Sequence, residues 1–269
     1  MTEKEAPYLD PKYSAPAVEK LLDVVERIAA STGGYSINEL ARLTDNSVNA
    51  VYRICMVLRD RGYLITDPVS GHFVLGSKFY FLGKSAAQRM TLNTVAAPIL
   101  TRLMRETGES TQLIVMHDGC AVVQLQSETD NPIRIHVETC AIIQPHSSAG
   151  GKCILAHLPD DVCTPLITDL MPFTAHTLID PDALRNEFAE IRRTGIAFDR
   201  EECMDGLRCI GAPVFGADGA CIGGIDVMFP TYRVTSADES RFVPLVRQAA
   251  ADISVGMGFD PTQIQYSEE

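Results

Sequence analysis

Long apolar runs are missing from this chain: no window approaches about 18 uninterrupted apolar residues, which excludes ordinary membrane-spanning helices. No basic stretch followed by an apolar one opens it, so a secretory leader is not expected. None of its 8 cysteines forms a C-x-x-C pair, and 8 in 269 residues is too sparse for a disulfide scaffold. Reduced thiols in a cytoplasmic protein are expected. A G-x-S-x-G nucleophile elbow is absent. Gly150-Gly151-Lys152 fails as a phosphate loop, because His146 stands where that loop needs glycine and Cys153 where it needs Ser or Thr. There is no internal repeat or low-complexity tract. What remains is 46% hydrophobic and 22% charged, the composition of a globular chain long enough for two domains.

The net charge of −12 argues at first against nucleic acid, but the charge is unevenly spread. Residues 1–84 hold 10 basic and 10 acidic side chains, and residues 36–84 hold 6 and 4. The acidity therefore belongs to the C-terminal two-thirds, which cannot itself attract phosphates. A small neutral-to-basic reader joined to an acidic body fits this distribution.

The pattern of residues divides the same way. Residues 1–14 read as a flexible arm. Val18, Leu21, Leu22, Val25 and Ile28 recur at helical spacing until Gly33-Gly34. Ser36 and Glu39 form a capping box for a short second helix. After Thr44-Asp45-Asn46 a third helix is expected from Ser47 to Arg61, with Val51, Ile54, Cys55 and Leu58 buried and Asn49, Tyr52 and Arg53 polar. Two short β runs around Pro68-Val69-Ser70-Gly71 follow as a hairpin. Three helices and a hairpin in this order make a winged helix-turn-helix over residues 15–77, whose third helix enters the major groove. The candidate DNA contacts are Ser47, Asn49, Tyr52 and Arg53 on that helix, with Ser36, Ser70 and His72 beside it.

A linker helix is expected over residues 78–93, its apolar side Phe79, Leu82, Ala86 and Met90. Residues 94–258 then alternate between helical and period-two patterns. Helices are expected at Thr94–Thr107 (Pro98 in its first turn), Ala149–His157, Val162–Leu170 and Pro181–Arg193. A last helix, about Ser236–Val255, would open on a Ser236/Glu239 box. Strands are expected at Thr111–His117, Cys120–Ser127, Ile133–Cys140, Ile196–Asp199, Cys209–Phe215 and Cys221–Met228. This is an α+β domain on an antiparallel sheet; residues 259–269 form a tail.

Three stretches carry a family resemblance. Tyr52-Arg53-Ile54-Cys55 through Leu58 and Arg61-Gly62-Tyr63-Leu64, then Asp67-Pro68-Val69-Ser70-Gly71, resemble a recognition helix and wing. Pro145 to Ala156, through Gly150-Gly151-Lys152, resembles an H-x-S/T-A-x-G-K-A-x-L-A segment. Gly195-Ile196-Ala197-Phe198-Asp199-Arg200-Glu201-Glu202 and Gly206 to Pro213 resemble G-Y-x-x-D-x-E-E followed by G-x-x-C-I-A-A-P. In this order they are similar to the IclR family of bacterial transcriptional regulators, over about Ala15 to Val255. The resemblance implies a GAF-like effector domain, no cofactor, and homodimers or homotetramers on palindromic operator DNA. It also implies an effector site at Ser148, Ala149, Gly150, Asp199, Cys209, Asp226 and Met228. Where oxo-acid-sensing relatives carry an S-x-S pair, this chain has Asp226 and Met228. Backbone N–H groups at the start of the helix after His146 suit an anionic or strongly polar group. The Asp226/Met228 pair points away from glyoxylate or pyruvate and towards a larger effector with a hydroxyl or amino function, such as a hydroxylated aromatic acid.

Rival readings use the same residues. His146, Ser147, Cys153, Asp199 and Cys209 are nucleophile and base types, compatible with cysteine-dependent catalysis. Cys203, Cys209 and Cys221, or His146 with Cys153, are metal-ligand types whose spacings lack the short zinc signature. Thiol redox sensing stays open on sequence alone, as does a winged helix that docks a protein rather than DNA.

Overall fold

The computed structural model describes residues 15–87, 91–117, 119–263 and 266. The expected arm, residues 1–14, and Met90 of the expected linker face lie outside the described residues, and nothing is described of Ala86 beyond its place in a helix. The chain divides into two units, residues 1–89 and 90–269.

In the first unit α1 (Pro16–Ala29), α2 (Ile37–Leu43) and α3 (Val48–Asp60) precede β1 (Leu64–Thr66), β2 (Phe73–Leu75) and α4 (Ser77–Ala87). The helical periodicity places Val24, Ile28, Leu40, Ala41, Val51, Cys55 and Leu58 in one core with Leu64 and Phe73 of the hairpin. Ser36 and Glu39 form the expected capping box, and Ser47 caps α3 through the Ala50 N–H at 3.3 Å. β1 pairs antiparallel with β2, and the bridge between Tyr35 and Phe73 ties the wing to the segment before α2.

The second unit opens with α5 (Leu92–Thr107), then β3 (Ser110–His117) and β4 (Cys120–Ser127). β5 (Ile142–Ile143), α6 (Ala149–His157), α7 (Asp160–Leu166) and α8 (Pro181–Thr194) follow. The chain continues through β6 (Ala197–Arg200), β7 (Leu207–Phe215), β8 (Cys221–Pro230) and α9 (Ser236–Gly256). The six strands form an antiparallel sheet in the order β5-β4-β3-β8-β7-β6. One face, with Leu113, Ile210, Ala212, Ile225 and Val227, packs on α5 and α9. The other, with Ala197, Cys209 and Met228, packs on α6, α7 and α8. Burial on both faces explains why β7 and β8 read as near-continuous apolar runs.

Four expectations from sequence are corrected here. Ile133–Cys140 is not a strand: the ladder with β4 is Ile142–Ile143, preceded by a backbone bond from the Cys140 N–H to Val123 O at 2.8 Å. The Gln126 side chain takes that role instead, its Nε2 donating to Ile135 O at 3.1 Å and its Oε1 accepting from the Val137 N–H at 3.0 Å. α7 stops at Leu166 rather than Leu170, with Asp169 in left-handed backbone at φ 55°. α9 is capped by Thr235 with Asp238, one residue before the expected Ser236/Glu239 box. α5 starts at Leu92, capped by Thr91, which places Pro98 beyond the first turn. The tail also packs: Phe259 is buried and stacks on Phe215 with ring centroids 5.2 Å apart.

Candidate functional site

Of the seven candidate DNA contacts, four line the outer side of α3 and its cap. Ser47, Asn49, Tyr52 and Arg53 are all exposed, while Val51 and Cys55 between them are buried. Arg53 makes no hydrogen bond or ion pair among the described residues, so its guanidinium is free for an external anion. Tyr52 is 51% exposed, beside exposed Val48. The Ser47 hydroxyl is engaged as the α3 cap.

The other three are structural: Ser36 caps α2, His72 joins the wing to it, and Ser70 closes the wing's turn. Glu39 Oε2 accepts from the Ser36 N–H at 2.8 Å and the Ser36 hydroxyl at 2.7 Å, which holds the Glu39 carboxyl below its ordinary range. His72 Nδ1 donates to Gly33 O at 3.3 Å, and its Nε2 lies 3.7 Å from Glu39 Oε2. The Ser70 hydroxyl donates to Asp67 Oδ2 at 2.6 Å and closes the turn of the wing. Sequence reasoning missed Lys78 of α4, whose Nζ donates to Arg61 O at 3.1 Å and lies over the Tyr63 ring.

In the second unit, strand register brings the candidate effector residues together. Gln112, Asp226 and Gly211 stand side by side on β3, β8 and β7. The next row on the same face is Ser110, Met228, Cys209 and Asp199 across β3, β8, β7 and β6. Alternation along each strand puts both rows under α6. The N-terminal turn of α6 lies on glycines: a Cβ at Gly224 would stand 2.2 Å from Gly150 O, and one at Gly211 would stand 2.9 Å from Gly150 N. That close approach carries the Gly150 N–H to Asp226.

Asp226 is fully buried. Its Oδ2 accepts from the Gly150 N–H at 3.2 Å and from Gln112 Nε2 at 3.3 Å, while its Oδ1 and Gln112 Oε1 have no partner among the described residues. Burial pushes its carboxyl up to about 7, only partly offset by those two hydrogen bonds. Arg208 is not its partner, being paired with Glu239. Asp199 is also buried and its carboxyl raised by burial; Oδ1 accepts from the Glu202 N–H at 2.7 Å and Oδ2 from the Cys209 thiol at 3.5 Å. Ser148 caps α6 through the Gly151 N–H at 3.2 Å. The helix start is therefore already turned on the protein's own Asp226 and Ser148. Two neighbours were not anticipated, Gln112 and Ser110; only strand register, which a sequence does not show, places them there.

The rival chemistries that rest on Cys153, Cys209 and Cys221 lose their footing. Burial drives the Cys153 and Cys209 thiols well above the ordinary range and the Cys221 thiol to about 12, opposite to what a reactive thiolate needs. His146 Nε2 meets Met171 O at 3.2 Å, and its ring packs by Phe173. Among the described residues no cluster of three or more His, Cys, Asp or Glu could hold a metal ion. Among them, too, no helix is long and apolar enough to cross a membrane.

Comparisons with known proteins agree with this architecture. Residues 17–68 match the family model of the IclR helix-turn-helix domain, and residues 84–255 that of the bacterial transcriptional regulator IclR C-terminal domain. The HTH-type transcriptional regulator BhcR of Paracoccus denitrificans is 33% identical over 243 residues, covering 90% of this chain and 87% of that protein. The transcriptional repressor IclR of Escherichia coli is 28% identical over 241 residues, 88% of each chain. In fold, the Agrobacterium tumefaciens repressor BlcR superposes with a TM-score of 0.83 at 18% identity, covering 92% of this chain and 99% of that one. The chain belongs to the IclR family of bacterial transcriptional regulators and is a DNA-binding regulator with a C-terminal effector domain, not an enzyme.

Proposed function

We propose that Asn49, Tyr52 and Arg53 of α3 read operator DNA, and that an effector carrying a hydroxyl or amino donor acts through Asp226. The unpaired, exposed Arg53 carries the first part. A guanidinium on the groove-facing side of a recognition helix binds a guanine edge or a phosphate. Ser36 and His72 act through Glu39 of α2, which both of them meet, and Ser70 acts by closing the turn of the wing. Arg53→Ala should weaken operator binding by about 1–3 kcal/mol if the contact is to a base. A folded variant with unchanged affinity and unchanged salt slope in a titration of labelled operator contradicts the assignment.

The effector reading rests on two buried acceptors, Asp226 Oδ1 and Gln112 Oε1, that lack a donor among the described residues. Unmet buried acceptors are costly, and a ligand hydroxyl or ammonium relieves them. Met228 beside them supplies adaptable apolar contact for the body of the ligand, with Asp199 and Cys209 at the far end of the row. Small oxo-acids such as glyoxylate bring acceptors to acceptors and are disfavoured. Calorimetry against hydroxylated aromatic acids, amino acids and glyoxylate decides this; tight glyoxylate binding lost in Asp199→Ala overturns it.

The protein acts in the cytoplasm as a homodimer or homotetramer. One winged helix reads too few base pairs for useful specificity, and α4 presents exposed Tyr80, Phe81 and Leu82. Phe79 serves instead to seat α4 on the Tyr63 ring, with centroids 5.1 Å apart. Sedimentation should show at least a dimer at micromolar concentration, and Phe81→Glu should shift it towards monomer.

A further inference from the structure

β6 pairs with Arg208–Gly211 of β7, so the following residues, Ala212–Phe215, have β8 on one side and, among the described residues, no strand on the other. That edge is closed to an added strand. Pro213 has no N–H, and the Phe215 N–H donates to Ser254 Oγ at 3.0 Å. α9 and the C-terminal segment flank the edge instead and leave a cavity of about 350 Å³ within the second unit. Its walls are apolar and aromatic, chiefly Pro213, Phe215, Pro244, Phe259 and Tyr266. Among the described residues one cation lines it, Arg247 of α9. Arg247 Nη2 donates to Thr194 O at 3.1 Å, but its Nε–H is shielded from solvent and meets no acceptor, and the side chain has no ion pair among the described residues.

A shielded guanidinium N–H beside an apolar cavity asks for an acceptor that brings negative charge and an apolar body together. A carboxylate in the cavity can take Nε–H and the hydrogen that Nη2 keeps after Thr194 once the guanidinium turns towards it. The volume falls within the range of small-molecule sites, which are mostly apolar with a few placed polar groups. We infer that this cavity is a second ligand site, distinct from the Asp226 site, and that it takes a small aromatic or alicyclic monocarboxylate whose carboxylate pairs with Arg247. The two sites differ in chemistry: unpaired acceptors at Asp226 call for a donor, and the unpaired donor at Arg247 calls for an anion.

Calorimetry on the full chain tests this, with benzoate and cyclohexanecarboxylate as probes and benzamide as the uncharged control. Both carboxylates should bind, and benzamide at least about tenfold more weakly, the loss of one charge-assisted contact. Arg247→Met should remove benzoate binding while Asp226→Asn leaves it unchanged. Ala251→Phe, an exposed lining position of α9, should block the cavity with Arg247 intact and give the same loss. Absence of benzoate binding at millimolar concentration, benzoate binding that survives both Arg247→Met and Ala251→Phe, equal binding of benzamide, or loss of benzoate binding in Asp226→Asn each overturns the assignment.

Discussion

Replacing Lys152 by methionine should destabilise the effector unit by about 3–5 kcal/mol, the range for removing one member of a buried ion pair. Lys152 is fully buried at the centre of α6. Its Nζ donates to Glu187 Oε1 of α8 at 2.6 Å and to Glu202 Oε1 at 2.7 Å. Glu202 is buried as well, accepts from the Arg200 N–H at 3.3 Å, and has its carboxyl raised by burial, with Lys152 as the main opposing influence. Methionine fills the stem volume but leaves two carboxylates facing each other without their cation. Urea unfolding at pH 7 should show the loss, and adding Glu202→Gln to Lys152→Met should restore part of it. A single variant within about 1 kcal/mol of the parent would mean that the triad is neutral in the fold. The consequence reaches the site, because the Glu202 N–H also holds Asp199 Oδ1. Effector affinity should therefore fall with stability in Lys152→Met, whereas operator affinity of the first unit, which shares no residue with the triad, should be unchanged when no effector is present.

What was legible beforehand depended on how local the information is. The capping box at Ser36/Glu39, the αL glycines Gly108 and Gly195 and the apolar stripes of α3 and α8 are local signals, and each gave its element within a residue or two. By contrast, α1 ends at Ala29, short of the expected stop at Gly33-Gly34, and leaves Val18 and Leu22 of its expected stripe exposed. Ile133–Cys140 failed because its β-forming residues are docked by one amide side chain, Gln126, rather than by a backbone ladder. The candidate effector residues were legible only through resemblance. Asp226, Gln112 and Gly150 are brought together by pairing of β3 with β8 and by a helix that crosses on Gly211 and Gly224. Nothing near Asp226 in the chain announces either partner. The glycines were visible as letters, but their meaning lies in the 2.2 Å that a Cβ at Gly224 would leave to Gly150 O. In the first unit the opposite holds: Asn49 and Arg53 face outward because Val51 and Cys55 face inward, which a helical period alone decides.

Asp226 should make the effector unit lose stability as pH rises. Its ordinary value is 3.8, and burial, against the weaker opposing hydrogen bonds from Gln112 and Gly150, lifts it to about 7, with nearby Asp199 pushing the same way. A raised folded-state value means that the protonated form favours folding. That contribution is complete below about pH 4 and is lost as pH climbs through 7, a change on the order of 4 kcal/mol between pH 4 and 8. Asp226→Asn keeps an acceptor for the Gly150 N–H and Gln112 Nε2 but does not titrate. Its unfolding midpoint should therefore exceed the parent's above pH 7, the gap closing as pH falls to 5. Parallel pH profiles for the two proteins would show that the carboxyl is paired or hydrated in solution. The same titration selects among ligands. An amine binds the ionised carboxylate, so its affinity should rise through pH 7 in the parent and be flat over that range in Asp226→Asn. A neutral hydroxyl donor should show a much shallower dependence, which makes the slope of affinity with pH a direct readout of the group that meets Asp226.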